Sequence, residues 1–548
     1  MTDRGLLMEE IFSGAHFRVR LNYFISALFL TLLLSSCGGG TSSSSDTDTI
    51  APSNLNYDTP SVSYTTGVVI SLNTPSSDGG AVASYSVSPM LPTGLSIDAL
   101  TGVISGTPTV ITNIANYTVT ATNAGGSTNV TVSIAVGGTS WTGTKQLGVA
   151  GAETFGSSIA TDANDNVYIV GSTNGDLDGN TLTGDFDFFL TKYNSTGIKQ
   201  YTRQLGVAAA STTAFSVATD ANGNVYVAGG TNGGLDGSTL TGILDSFVTK
   251  YDNTGAKQYT RLLGVVAAVT TAFSVATDTN GNVYIAGNTN GDLDGNTLTG
   301  GFDFFLTKYD STGVKQYTRQ LGVAAAVTPA FSVATDANGN VYVAGYTSGG
   351  LDGNSLTGSR DFFVTKYDSI GAKQYTRQLG VTVNFTESRS VTTDGNVYVG
   401  GFTNGGLDGN TLTGSIDFFL TKYDSTGVKQ YTRQLGVVAA NTAARSITTD
   451  ANGNIYVTGI TTGDLDGNTH TETGTRNFFL TKYNSAGIKQ YTRQLGVAAA
   501  DTTGDSVATD ASGGVYVAGY TNGGLDGNSL TGVRDFFVTK YDAAGVKQ

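Results

Sequence analysis

The triplet Leu-Asp-Gly occurs seven times in the second part of the chain, with its aspartate at Asp178, Asp236, Asp294, Asp352, Asp408, Asp466 and Asp526. The intervals are 58, 58, 58, 56, 58 and 60 residues. So regular a period restricts this region to a repeat architecture, in which each copy buries its apolar faces against its neighbours. The short interval comes from TDGN where other copies read TDANGN, and the long one from the extended THTETGTRN of copy six. Both length changes fall where turns are expected, so the strands keep their register.

Copy two shows the unit. Residues 215–220 (FSVATD) and 224–231 (NVYVAGGT) flank an Asn-Gly turn, a strong hairpin signal. Residues 245–252 (DSFVTKYD) and 257–263 (KQYTRLL) flank a second tight turn, which predicts four antiparallel strands per copy. Val225-Tyr226-Val227-Ala228 is apolar without alternation, so both faces of the sheet must be covered. Four-stranded sheets that cover each other radially make a β-propeller. Copy seven stops at Lys547-Gln548, before the YTRQLG of the others, while 141–148 (WTGTKQLG) stands alone ahead of copy one. The two pieces complete one another, predicting a seven-bladed ring closed without a covalent link. The unit SxxTDANGNVYVAGxTNGGLDGNxLTGxxDFFxTKYDSTGxKQYTRQLG resembles the SBBP β-propeller repeats of bacterial surface and secreted proteins, over about 141–548. That resemblance implies a propeller but no particular activity.

The start of the chain reads as an address. Arg18 and Arg20 precede the apolar run 24–34 (FISALFLTLLL), which is too short to span a bilayer and has the layout of a secretory signal. Leu34-Ser35-Ser36-Cys37 resembles the lipobox of bacterial lipoproteins, which implies a signal peptide over 1–36 and lipid attachment at Cys37, the single cysteine. Residues 37–49 are then the lipidated cysteine and a flexible Gly/Ser/Thr tether. The expected partner there is the membrane, and the expected place the bacterial cell envelope, at the outer membrane or cell surface.

Six of the seven prolines lie between Pro52 and Pro108, so composition changes again near residue 140. Short β-rich runs at 68–72, 82–87, 117–122 and 129–136, separated by turn clusters, predict a β-sandwich over 50–137. LPTGLSI (91–97), TGVISGTP (101–108) and YTVTATN (117–123) resemble the immunoglobulin-like modules of bacterial surface proteins. The fold class is therefore all-β: an immunoglobulin-like sandwich, read as a spacer, then a seven-bladed propeller over 138–548.

Composition narrows the function. Lys+Arg 29 against Asp+Glu 43 leaves a net charge of −14, so the basic footprint of a nucleic-acid binder is missing. One cysteine excludes disulfides within the chain and multi-cysteine zinc sites. His16 and His470 are the only histidines, and no nucleophile motif or phosphate loop occurs. An enzyme is not expected. The class rival is a lyase or hydrolase acting on polysaccharide or peptide through Glu387, Arg389, Arg445 and Asp505. A purely structural envelope component is the third alternative.

Positions that differ among copies are free to serve a ligand. At the residue expected to open each first strand, the copies read Ser157, Phe215, Phe273, Phe331, Arg389, Arg445 and Asp505. Four residues earlier they read Glu153, Ser211, Val269, Val327, Phe385, Asn441 and Asp501, and Arg360, Arg476 and Arg534 precede third strands. Phe215, Phe273, Phe331, Phe385, Arg389, Arg445 and Asp505 are thus the candidate binding residues for an extracellular protein or glycan. No cofactor is expected apart from calcium. Asn174-x-Asp176-x-Asp178-Gly179 and Asn290-x-Asp292-x-Asp294-Gly295 fit the opening of a calcium loop, against the alternative of Asp-Gly turn chemistry.

Overall fold

A computed structural model describes residues 50–138, 140–471 and 475–548. The signal run, Cys37 and the tether lie outside the described residues. Ile50–Gln548 forms one compact unit, and no helix among the described residues is long and apolar enough to cross a membrane.

The first part is a small β-sandwich. Ser61–Thr65, Gly126–Gly137, Thr112–Asn123 and Ser84–Ser88 form one sheet in that order, and Pro52–Tyr57 pairs with Pro75–Gly79. Leu55, Tyr57, Ile104, Tyr117, Val119, Val132 and Ile134 fill the space between. The strand expected at 68–72 is absent. Gly67 turns the chain at φ 75, Val68 N–H closes the turn on the Thr65 carbonyl, and Ile70 N–H donates to the Gly106 carbonyl, leaving Val68, Val69 and Leu72 exposed.

Residues 145–548 form seven antiparallel four-stranded sheets. In sheet two the order is Thr212–Thr219, Val225–Thr231, Asp245–Tyr251, Lys257–Leu263, innermost to outermost. The second and third strands are buried on both faces because each sheet is sandwiched, whereas the fourth, such as Lys257–Leu263, is polar and partly exposed. Between sheets one and two, Val170, Phe188 and Leu190 pack on Val217, Val227 and Phe247. An equivalent core joins sheet seven to sheet one, where Phe189 stacks on Phe536 with ring centroids 5.0 Å apart.

A ring of hydrogen bonds passes through all seven innermost strands. The Val217 N–H donates to Ser158 Oγ of the preceding sheet, and Val275, Val333, Val391, Ile447 and Val507 donate in the same way to Ser216, Ser274, Ser332, Ser390 and Ser446. Ile159 donates to Ser506 at 3.2 Å and joins the last sheet to the first. These serines satisfy backbone donors on strand edges that have no further strand to pair with.

The seam is built from both ends of this region. Lys145–Leu147 is the fourth strand of sheet seven, pairing with Phe536–Val538. It repeats the contacts of an ordinary fourth strand. Gln146 Oε1 accepts from the Leu525 N–H, as Gln204 Oε1 does from Leu177. Thr144 meets Thr539 at 2.8 Å, as Thr202 meets Thr191. Asp526 binds Lys547 and accepts from Thr144 N–H and Oγ1. Burial works against this carboxylate, but Lys547 and Thr144 outweigh it and hold it below the usual range. Elsewhere a fourth-strand tyrosine covers a turn glycine of the next sheet, as Tyr201 covers Gly255. Gly143 stands at the tyrosine's place in the seam, and Trp141 supplies the ring, lying against Gly197, Tyr193 and Tyr516.

The sandwich packs on sheet one. Gln200 donates to Ser63 Oγ at 3.1 Å, and Gly137 passes so close to Ile198 that a Cβ would collide with it. Ile198 is 6% exposed, whereas Val314, Val428, Ile488 and Val546 at the same repeat position are 56–60% exposed.

Copy six breaks one repeated bond. In sheet one the buried Asp187 carboxylate accepts from Thr183 N–H, Gly184 N–H and Gln204 Nε2. Copy six has Asn477, and both its Nδ2 and Gln494 Nε2 are buried without a partner. Asn477→Asp is expected to raise unfolding stability by about 1 kcal/mol, since it gives Gln494 a carboxylate. An equilibrium urea titration checks it.

Candidate functional site

The innermost strands begin earlier than their sequence suggests. Residues 215, 273 and 331 do not open strands but lie within Thr212–Thr219, Thr270–Thr277 and Ala330–Thr335. In sheet four the strand starts late because Pro329 has no N–H for the ladder. Each of Ser157, Phe215, Phe273, Phe331, Arg389, Arg445 and Asp505 falls at a break in register, such as that between Ala214 and Ser216. They are β-bulge residues. A bulge leaves its residue out of the ladder and re-aims its side chain, so the fold sets one half-buried side chain per sheet around the mouth of the ring. Copy-to-copy variation located these positions; the bulge that makes them special has no signature in the repeat.

The bulge residues of neighbouring sheets touch. Phe215 and Phe273 lie 5.3 Å apart between centroids, as do Phe273 and Phe331, with the rings tilted by 52° and 45°. The Arg389 guanidinium sits 4.4 Å over Phe331 and also 5.2 Å from Phe402. Phe385 is set apart from this row and meets Phe402 edge-on at 6.0 Å. Beyond Arg389 the mouth is ionic: Arg445 pairs with Asp505 at 2.5 Å and Arg534 with Glu153 at 3.2 Å. Glu387, missed as an ion-pair bridge at the sequence level, accepts from Arg360 at 2.6 Å and from Arg389 at 3.0 Å.

The residues that precede third strands close the mouth from outside. Arg360, Phe186, Leu244, Phe302 and Ile416 each form a parallel bridge with the start of the next innermost strand, Arg360 with Phe385 and Phe186 with Ser211 among them. Two tyrosines, Tyr346 buried and Tyr520 half-buried, register the crowding of charge. Burial and Glu387 push Tyr346 up to about 12 against Arg360 and Arg389. Burial and Asp505 raise Tyr520 against Arg445, Arg476 and Arg534.

The arginine inventory sets this mouth apart. Arg203, Arg261, Arg319, Arg377, Arg433 and Arg493 occupy one repeated position, each with its guanidinium over a fourth-strand tyrosine. All other arginines among the described residues, Arg360, Arg389, Arg445, Arg476 and Arg534, belong to the mouth.

The calcium expectation is corrected by the loop geometry. Asp178 and Asp294 have left-handed backbone, φ 56 and 57, and turn their carboxylates to Lys199 and Lys315. Asp176 Oδ1 accepts from Leu182 N–H and Asp292 Oδ1 from Leu298 N–H, both at 2.7 Å. Asn174 and Asn290 accept from Glu153 and Val269 N–H. The three oxygens of each loop thus point to separate protein donors instead of converging on one centre. All seven triplet aspartates bind a lysine in this way. No group of three His, Cys, Asp or Glu able to hold a metal occurs among the described residues. A shallow cavity of about 630 Å³ lies away from the bulge residues, over the copy-six loop, lined by Val437, Asp464 and His470 among others.

Comparison with known proteins agrees with the fold. Residues 143–178, 200–236, 258–294, 316–352, 430–466 and 490–526 match the SBBP family, described as a beta-propeller repeat. Residues 42–137 match the He_PIG family, described as "Putative Ig domain". The regulatory protein FlaEY of Caulobacter vibrioides is 28% identical over 295 residues, 48% of this chain and 30% of that protein. An uncharacterized WD repeat-containing protein, L264, of Acanthamoeba polyphaga mimivirus is 27% identical over 213 residues, 30% of this chain and 15% of that protein. The chain therefore spans less than a third of these curated relatives. Among solved structures, a quinonprotein alcohol dehydrogenase-like protein of Bacteroides thetaiotaomicron aligns at 11% identity and TM-score 0.36, covering 80% of this chain and 94% of that one. An auxiliary nutrient binding protein of the same species aligns at 10% identity and TM-score 0.30, covering 90% and 98%. The chain is a repeat protein whose copies match the SBBP beta-propeller repeat, behind a segment that matches the family described as "Putative Ig domain".

Proposed function

We propose that this chain is a lipid-anchored bacterial envelope protein whose seven-bladed propeller is a binding module, with the bulge-lined mouth as its recognition surface for an extracellular protein or glycan. The observation that carries the reading is contiguity. Residues that diverge between copies, and are therefore not dictated by the fold, form one unbroken row from Phe215 through Phe273 and Phe331 to Arg389. Rigid sheets hold this row, as binding surfaces require. The apolar run at 24–34 and Cys37 support the lipid anchor. A lyase or hydrolase is the weaker reading, because Glu387 and Asp505 are each committed to arginine and neither is placed as a proton donor.

The test replaces Phe215, Phe273 and Phe331 together by Ser. Capture of extracellular proteins and glycans is expected to fall at least tenfold while the circular dichroism spectrum is kept. Unchanged capture would reject the mouth as the binding surface. Unfolding would show that the rings serve packing between sheets.

A further inference from the structure

We infer that the turn of sheet six between its third and fourth strands, at the end of the strands away from the bulges, is a docking seat for an acidic immunoglobulin-like sandwich carried by another chain. The seven turns at this place are of two kinds. Five copies open the turn with aspartate, as at Asp252 and Asp310, and carry Val or Ala four residues later. Copies one and six alone read Asn194 and Asn484, each followed after four residues by isoleucine, Ile198 and Ile488. In all five aspartate copies the carboxylate accepts from the Nε2 of the fourth-strand glutamine, as Asp252 does from Gln258 at 2.9 Å. The aspartate therefore keeps that glutamine on its own turn.

Copy one shows what the other kind of turn does. Asn194 Oδ1 accepts from Thr196 and Ile198 N–H, and Gln200 Nε2 reaches out to Ser63 Oγ of the sandwich at 3.1 Å. Ile198 is covered by Gly137, at the end of the sandwich strand Gly126–Gly137. Both departures thus serve the docked sandwich: asparagine releases the glutamine, and isoleucine supplies the apolar contact. Copy six has the same seat with nothing on it. Asn484 Oδ1 accepts from Ala486 and Ile488 N–H, Gln490 Nε2 donates to the Ile488 carbonyl, and Ile488 is 60% exposed against 6% for Ile198.

The occupant is read from copy one. There the seat takes a strand end with a bare glycine and a serine hydroxyl, from a module that holds Asp58, Asp78 and Asp98 and no Glu, Lys or Arg between residues 50 and 137. An aspartate on the rim would repel such a module, and the two copies that lack it are the two that carry isoleucine. The end of this chain's own sandwich is already seated on sheet one, so the module for sheet six comes from another chain. One isoleucine and one glutamine make a small contact, of the transient class.

The experiment uses as its probe a full chain with the sandwich released, all chains carrying Cys37→Ser. Ile198→Asp breaks the first seat and Ile488→Asp the second, so the probe offers a free sandwich end and no seat. Release is read from spin labels at Ala124→Cys and Ser369→Cys, whose distance distribution should broaden. If it stays narrow, or the probe fails to fold, Asn194→Asp with Ile198→Ala replaces Ile198→Asp, since copy four carries that pair in a folded turn. Sedimentation velocity of the probe with a chain whose seats are intact, up to about 0.2 mM to populate so small a contact, is expected to show a one-to-one complex. Ile488→Asp in the recipient should weaken it about tenfold or more. Asp310→Asn with Val314→Ile, which builds the same pair into copy three, should let a second probe bind. No complex with a released probe, or a complex that ignores Ile488→Asp, would overturn the inference. A complex lost instead on replacing Phe215, Phe273 and Phe331 would place the contact at the mouth and overturn the seat.

Discussion

Trp141→Ala is expected to lower unfolding stability by about 3–5 kcal/mol, the cost of removing a large aromatic from a close-packed site. Trp141 is 3% exposed and wedges between the first and last sheets, 6.0 Å from Tyr193 and 5.3 Å from Tyr516. Its Nε1–H donates to the Gly143 carbonyl, and Lys145 lies 5.5 Å over its ring. The indole thus covers the turn at Gly197 that a tyrosine covers in other sheets, and it belongs to the only seam in the ring with no chain continuity. Urea unfolding followed by circular dichroism should show a lower midpoint at similar slope. Trp141→Phe should recover part of the loss. An unchanged midpoint would mean that the segment before Lys145 contributes nothing to closure.

Asp303→Ala is expected to cost about 3–6 kcal/mol. Asp303 is fully buried and accepts from Thr299 N–H at 2.7 Å, Gly300 N–H at 2.9 Å and Gln320 Nε2 at 3.2 Å. Alanine strands three donors where water has little access, each costing about 1–3 kcal/mol. Asp303→Asn should be milder, because it imposes on sheet three the arrangement that Asn477 has in sheet six. The same urea titration ranks the two, and equal midpoints for Ala and wild type would refute the account of this loop.

How much of this could be read beforehand differs by level. Sheet order followed from the repeat, because the Leu-Asp-Gly period and the two turn signals fix four strands per copy. The seam was legible from 141–148, since WTGTKQLG ends like YTRQLG. The indole standing in for a tyrosine was not, because Trp141 and that tyrosine occupy different positions along the strand. The aspartate before Phe-Phe recurs in most copies, but repetition does not disclose whether a carboxylate binds backbone, lysine or metal. The calcium expectation failed on that point: the Asn-x-Asp-x-Asp spacing is present, but a left-handed Asp178 turns its carboxylate to Lys199. At the mouth, divergence between copies located Phe215, Phe273, Phe331, Arg389, Arg445 and Asp505. Glu387 was placed there only as a catalytic alternative, and its bond to Arg360 crosses between sheets, which no local pattern records.

Ring closure is tested most directly by spin labels at Thr142→Cys and Gln548→Cys in a Cys37→Ser background, with their separation measured by pulsed dipolar spectroscopy. The Gly143 N–H donates to the Gln548 carbonyl at 2.9 Å, so the labels should fall at the shortest measurable distances in a single narrow population. An open stack of seven sheets, about 10 Å apart, would instead separate them by about 60 Å, and a population centred there would contradict the closed ring and the mouth built on it.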